Sequence, residues 1–259
     1  NVFPPAETSW TVLSRVPRLP QAMVEGDSFV YSLQQIRPEI TEAQALEKIQ
    51  RMRSSAMSDP QIGEQISQWR QDSEALTRKL NDWLCIAEVR TSRSIVSLQT
   101  RSQAASRIRG LWWQAVVDHP GGMELNLNLS GIQTGDLPAL GIQLPGVTAL
   151  DLTGVRLTAQ GSNDFLRAFP GVRRLCLNGN ELAALPEAVR DMSQLSELEL
   201  AANHFSDLES NFELPMQGSL LKRIDLSSNR LASFDSSPFA SLEALDLAYN
   251  SITDWPGGT

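Results

Sequence analysis

Five segments of this chain, VTALDLTGV (147–155), VRRLCLNGN (172–180), LSELELAAN (195–203), LKRIDLSSN (221–229) and LEALDLAYN (242–250), carry aliphatic residues at their first, fourth and sixth positions. A weaker copy, ELNLNLSGI, precedes them at 124–132. The fourth-position anchors are Leu127, Leu150, Leu175, Leu198, Ile224 and Leu245, spaced 23, 25, 23, 26 and 21 residues apart. No other feature restricts the fold as strongly, because a unit of this length cannot bury its own apolar face and must stack on its neighbours.

Each copy reads as L-x-x-L-x-L-x-x-N, the pattern of a leucine-rich repeat. Side chains alternate along a strand, so the fourth and sixth positions face the core and the residues between them face outward. Apolar residues recur seven positions after the anchors at Leu157, Leu182, Phe205, Leu231 and Ile252, and ten positions after at Leu185, Leu208, Phe234 and Trp255, where they fill the space behind the strands. Asn180, Asn203, Asn229 and Asn250 fall five residues after their anchors. A buried amide there satisfies turn backbone groups that have no ladder partner. Ile132 and Val155 replace it in the first two copies. Residues 185–190 read as a short helical turn, and 209–218 as a protruding loop.

The preceding half is helical and does not repeat. Thr41 with Gln44 forms a capping-box pattern that opens a helix near 41–56, with Ala45, Ile49 and Met52 on one stripe. Asp59-Pro60 reads as an N-cap and first helical position. Ile62, Ile66, Trp69, Leu76, Leu80 and Trp83 then form the apolar stripe of a long helix. A third helix covers about 100–118 and ends at His119-Pro120-Gly121-Gly122, before the repeats. Residues 1–38, with Pro4, Pro5, Pro17 and Pro20, read as irregular or extended. The expected architecture is α/β: a leucine-rich-repeat solenoid of about six repeats over 121–259, preceded by an α-helical capping domain over 39–120. The helical half should cover Leu127 and Leu129 of the first strand, with Trp112 or Trp113 packed there.

Charge separates the halves. Residues 1–122 hold 14 Lys and Arg against 13 Asp and Glu, whereas 123–259 hold 8 against 17. An acidic repeat region argues against nucleic acid as partner, since phosphate binding needs clustered cations. No apolar run reaches the ~20 residues that cross a bilayer, and two cysteines make no disulfide framework. The two histidines fit no metal-ligand pattern, and phosphate-loop, dinucleotide and hydrolase signatures are absent. No cofactor and no catalytic residue is therefore expected. Cys85, in the apolar run Trp83-Leu84-Cys85-Ile86-Ala87, reads as buried and inert. Cys176 occupies an outward strand position.

The candidate site is the outward, concave face. Its central column reads Asp151, Cys176, Glu199, Asp225 and Asp246; Arg174, Glu197 and Arg223 stand before it, Asn178 after it, and Tyr249 closes the far end. Adjacent strands set equal positions ~4.7–4.9 Å apart. Carboxylates at that spacing repel, so the column reads as serving recognition of a basic protein partner rather than stability.

The run W-R-x-x-x-x-x-L-x-x-x-L-N-x-W-L (Trp69–Leu84), ahead of repeats such as LCLNGNELAALPEAVRDMSQL (175–195), resembles bacterial effectors of Pseudomonas-type organisms. In these, leucine-rich repeats precede a NEL-type (novel E3 ligase) ubiquitin ligase domain. The resemblance implies secretion into a eukaryotic host cell, with the repeats selecting a host substrate. It places the catalytic cysteine in a C-x-D motif after the repeats. Cys85 is followed by Ile86-Ala87 and Cys176 by Leu177-Asn178, so neither matches. The chain reads as a recognition fragment without its ligase, the alternatives being a stand-alone repeat adaptor or receptor and, third, an enzyme using Cys176 or the carboxylate column.

Overall fold

The structure is a computed structural model that describes residues 25–86, 90–91, 94–95, 97–119, 124–206, 220–234 and 241–253. Residues 1–24, the Pro120–Gly122 boundary, Leu208, the loop 209–218 and Trp255 lie outside the described residues. The chain divides into two compact units, one through Arg70 and one from Gln71.

In the first unit α1 (Glu25–Ile36) packs against α2 (Glu42–Ser54). Helix α1 falls within the stretch read from sequence as irregular, which it corrects. Its buried Val30 and Leu33 form an i, i+3 stripe too short to stand out beside the prolines before it. Helix α2 starts as its capping box requires. The Gln44 N–H donates to Thr41 Oγ1 at 3.2 Å, and the Thr41 N–H donates to Gln44 Oε1 at 3.0 Å. Helix α3 (Asp59–Cys85) begins one residue earlier than its sequence suggests. Ser58 precedes it, its N–H donating to Gln61 Oε1 at 2.8 Å, so Asp59 is already helical. All six residues of the α3 stripe are buried.

The division between the units falls inside α3. In the second unit, a two-residue hairpin of β1 (Arg90–Thr91) and β2 (Ser94–Ile95) precedes α4 (Leu98–Trp112). Ser97 caps α4 by accepting the Thr100 N–H at 3.1 Å. The helix runs on as a π-helical turn, Trp113–Asp118, closed by Trp113 Nε1 donating to Asp118 Oδ1 at 3.1 Å.

Among the described residues six parallel strands follow: β3 (Leu125–Asn128), β4 (Val147–Asp151), β5 (Arg174–Cys176), β6 (Glu197–Glu199), β7 (Arg223–Asp225) and β8 (Ala244–Asp246). They pair in chain order. The anchors stand opposite one another through the whole sheet, Leu127 to Leu150 to Leu175 to Leu198 to Ile224 to Leu245. The return segments carry one helical turn, α5 (Asn163–Leu166), and a 3₁₀ turn at Glu187–Asp191. Phe165 and Phe169 meet edge to face at 5.1 Å in the core behind β4 and β5.

The asparagines form the ladder that the sequence implies. Asn180 Oδ1 accepts the N–H groups of Arg156 and Leu157 at 2.9 and 3.1 Å, while its Nδ2 donates to the carbonyls of Leu152 and Leu177, each at 2.9 Å. Asn203, Asn229 and Asn250 repeat this one turn further on each time. Ile132 and Val155, at the same position in the first turns, are buried apolar replacements.

Helices of the second unit lie over the first strand. Helix α4 packs on β3, and Trp112 and Trp113 are both buried. Arg107 Nη1 donates to the Asn128 carbonyl at 2.6 Å and Trp83 Nε1 to the Asp136 carbonyl at 3.1 Å. Arg101, buried in α4, caps the end of α3 by donating to the carbonyls of Ile86 and Trp83 at 2.8 and 3.3 Å. Leu127 and Leu129 are buried, as a covered first strand requires.

Candidate functional site on the strand face

The central column exists as a physical row. Asn128, Asp151, Cys176, Glu199, Asp225 and Asp246 are successive register partners across six strands. Asn128, in the weakest copy of the repeat, is a member that the sequence reading left out. The flanking column, Ala149, Arg174, Glu197, Arg223 and Ala244, is likewise in register.

The acidic residues are not idle charges, which corrects the reading that they contribute nothing to stability. Each Asp at this position accepts the backbone N–H two residues further on, where the strand ends and the chain turns. Asp151 Oδ1 accepts from Thr153 at 3.1 Å, Asp225 Oδ1 from Ser227 at 2.9 Å, and Asp246 Oδ1 from Ala248 at 2.9 Å. Asn128 Oδ1 does the same for Ser130 at 2.9 Å, so the turn needs the acceptor and not the charge. Where the column holds Glu199, Asn178 of the previous turn supplies the acceptor, taking the Ala201 N–H at 2.8 Å.

A network closes the middle of the face. Arg174 donates to Glu199 Oε1 through Nη2 at 2.6 Å and Nε at 3.2 Å, with Glu197 3.6 Å from the guanidinium. Asn178 Nδ2 donates to Glu199 Oε2 at 3.1 Å. Partial burial pushes the Glu199 carboxyl up, but hydrogen bonds from Arg174, Cys176 and Asn178 outweigh it and hold the group below the usual carboxylate range. The hydrogen bond to Glu199 in turn raises Arg174. Asn128 Nδ2 completes this part of the face by donating to Asp151 Oδ2 at 3.2 Å.

Cys176 holds its outward strand position, yet its side chain is buried, contrary to the open placement that alternation implies. The thiol is enclosed among Glu199, Arg174 and Asp151. Burial, reinforced by its hydrogen bond to Glu199, pushes it up to about 12. A thiol in that state is not a nucleophile near neutral pH. Cys85 departs the other way: it is exposed. Trp83 takes the buried stripe of α3, and two residues further on, at 100° each, the chain has turned to the opposite side.

Strands β7 and β8 look different. Among the described residues Arg223 makes no ion pair, and Asp225 and Asp246 each keep one oxygen unengaged. Tyr249, just after β8, is 86% exposed and sits at φ 57°. Among the described residues no three His, Cys, Asp or Glu side chains are grouped to hold a metal ion, and no helix is long and apolar enough to cross a membrane.

Stacked parallel strands, aligned leucine anchors and an asparagine ladder define a solenoid of the leucine-rich-repeat class with a charged strand face. Among solved structures, YopM from Yersinia enterocolitica WA-314 is similar at a TM-score of 0.35 and 17% identity, over 72% of this chain and 44% of that one. This chain thus spans less than half the length of that protein. No protein-family model and no curated protein matches the sequence.

Proposed function

We propose that this chain is a protein-recognition module whose strand face, through Asp151, Arg174, Asn178, Glu197, Arg223, Asp225, Asp246 and Tyr249, binds a protein with a basic surface. The observation that carries this reading is the row of ionised and polar side chains in register on an exposed sheet face. A scaffold fixed by leucine anchors and asparagines presents that row with little ordering cost on binding. Opposite charges on the partner would steer association and exclude wrong partners.

In its finer form the proposal is that the module belongs to a secreted bacterial effector acting in the host cell. There it selects a host substrate for an E3 ubiquitin ligase whose cysteine nucleophile lies outside this chain. The resemblance over 69–84 and 175–195 supports this part. The chain itself is proposed to have no catalytic role and to use no cofactor. The enclosed, strongly raised thiol of Cys176 supports the first point.

The test is affinity capture from eukaryotic lysate with the wild-type chain and with a variant carrying Asp151→Asn, Glu197→Gln, Asp225→Asn and Asp246→Asn. These changes remove charge but keep an acceptor at each position. A protein retained by the wild type and lost by a variant of unchanged melting temperature supports the reading. Identical retention by both contradicts it.

A further inference from the structure

Resting on the reading of the strand face as a recognition surface, we propose that most of the binding energy comes from its β7–β8 end. The partner segment presents there a lysine or arginine side chain next to an acidic one. The face is divided by how its polar groups are already used. From β3 to β6 the side chains answer one another: Asn128 with Asp151, Arg174 with Glu199, Asn178 with Glu199. A partner binding there must first break those bonds, and gains little by replacing them.

At β7 and β8 the ion pair Lys222–Glu243, 2.8 Å, stands just before the strands, but within the two outward columns no such pairing exists among the described residues. Among the described residues Arg223 forms no ion pair, and Asp225 and Asp246 are register neighbours whose second oxygens accept no hydrogen bond. Strand neighbours stand ~4.7–4.9 Å apart, so these like charges repel until a cation lies between them. Arg223 has Glu197 and Ala244 as register partners, makes no ion pair with Glu197, and offers its guanidinium to an anion one column away from the aspartates. Ala244 and Ala248 flank Asp246 with small side chains, and Tyr249, three residues after it, is an exposed aromatic. Aromatic residues of this kind commonly dominate contact energies. A protein segment with adjacent basic and acidic side chains complements this set.

The test uses the full 259-residue chain as bait for phage-displayed random 12-residue peptides. Selected peptides are then titrated against Asp225→Asn/Asp246→Asn, Arg223→Gln and Asp151→Asn. Asn128 shows that asparagine holds this turn, and the Arg223 side chain makes no bond among the described residues, so these variants should fold. Far-ultraviolet circular dichroism checks that they do. The proposal expects peptides in which Lys or Arg lies within a few residues of Asp or Glu. Affinity should fall at least about tenfold for Asp225→Asn/Asp246→Asn and for Arg223→Gln, and by less than about twofold for Asp151→Asn. Peptides insensitive to the β7–β8 variants but lost with Asp151→Asn would overturn the proposal and leave the recognition reading standing. No enrichment on the wild-type chain would overturn both.

Discussion

The backbone N–H of Asn180 donates to the side-chain Oδ1 of Asn203 at 3.0 Å, so one ladder asparagine is held in place by the next. The same Oδ1 accepts the Leu182 N–H at 2.9 Å, and the Asn203 amide donates to the carbonyls of Leu177 and Leu200. Replacing Asn203 by Ala strands two buried donors at about 1–3 kcal/mol each. Urea titration should show a clearly lower midpoint at unchanged slope. Asn250→Ala, in a half-buried turn, should cost less; equal or negligible losses at both positions would contradict the ladder account.

The residue before each ladder asparagine, or before Ile132 and Val155 in the first two turns, has positive φ. It is Gly131, Gly154 and Gly179 in three turns, but Ala202, Ser228 and Tyr249 in the others, at φ 54°, 56° and 57°. Side chains at such angles carry about 1–2 kcal/mol of local strain. Ala202→Gly and Ser228→Gly should therefore raise the melting temperature, net of the extra chain entropy of glycine. Gly179→Ala should lower it, and on backbone grounds alone, since nothing lies within 4 Å of the added Cβ. A stabilised Gly179→Ala would refute the left-handed turn.

Glu199 differs from the aspartates of its own column. Its carboxyl is held below the usual range in the folded chain. The folded state therefore stays ionised where the unfolded chain has begun to bind protons. The resulting stability is present above the ordinary carboxylate pKa, about 4.3, and is lost as pH falls through the lower folded value. Glu199→Gln should flatten this acid limb of the stability profile, and Glu199→Lys should lower the melting temperature by placing a cation against Arg174. An unchanged acid limb in Glu199→Gln would contradict the network.

The thiol of Cys176 sets the opposite limb. It keeps its proton up to about 12 in the folded chain, whereas an unfolded cysteine loses it near 8.5. The unfolded state binds fewer protons across that window, so stability should fall as pH rises through it, and Cys176→Ala should weaken the dependence. Iodoacetamide at pH 8 should label exposed Cys85 and spare Cys176; equal labelling of the two would contradict the enclosed thiol.

The repeat spacing makes the sheet legible in the sequence itself, because anchors separated by one turn each must meet as register partners. The Thr41–Gln44 cap is legible because its hydrogen bonds are local, and the Asn180 series because its offset of five residues from the anchor repeats in each later turn, although its bonds reach the neighbouring turn. Exposure is not. Alternation places Cys176 outward but says nothing of Glu199 and Arg174 closing around it. The apolar run about Cys85 gives no sign of which way the last turn of α3 faces. Nor does a sequence distinguish an aspartate that charges a surface from one that also holds the N–H two residues on, as Asp225 does with Ser227. Glu199 and Asp225 look equivalent in the column, yet only Glu199 is tied into a network.

The central claim is that the strand face recognises and the ladder merely holds it. The most direct measurement is equilibrium binding of the captured partner, by surface plasmon resonance, to two variants: the charge-neutralised face and Asn203→Ala. The account predicts a loss of at least about tenfold in affinity with an unchanged melting temperature for the first. For the second it predicts a lowered melting temperature with unchanged affinity below the unfolding transition. Undiminished binding to the neutralised face would contradict it.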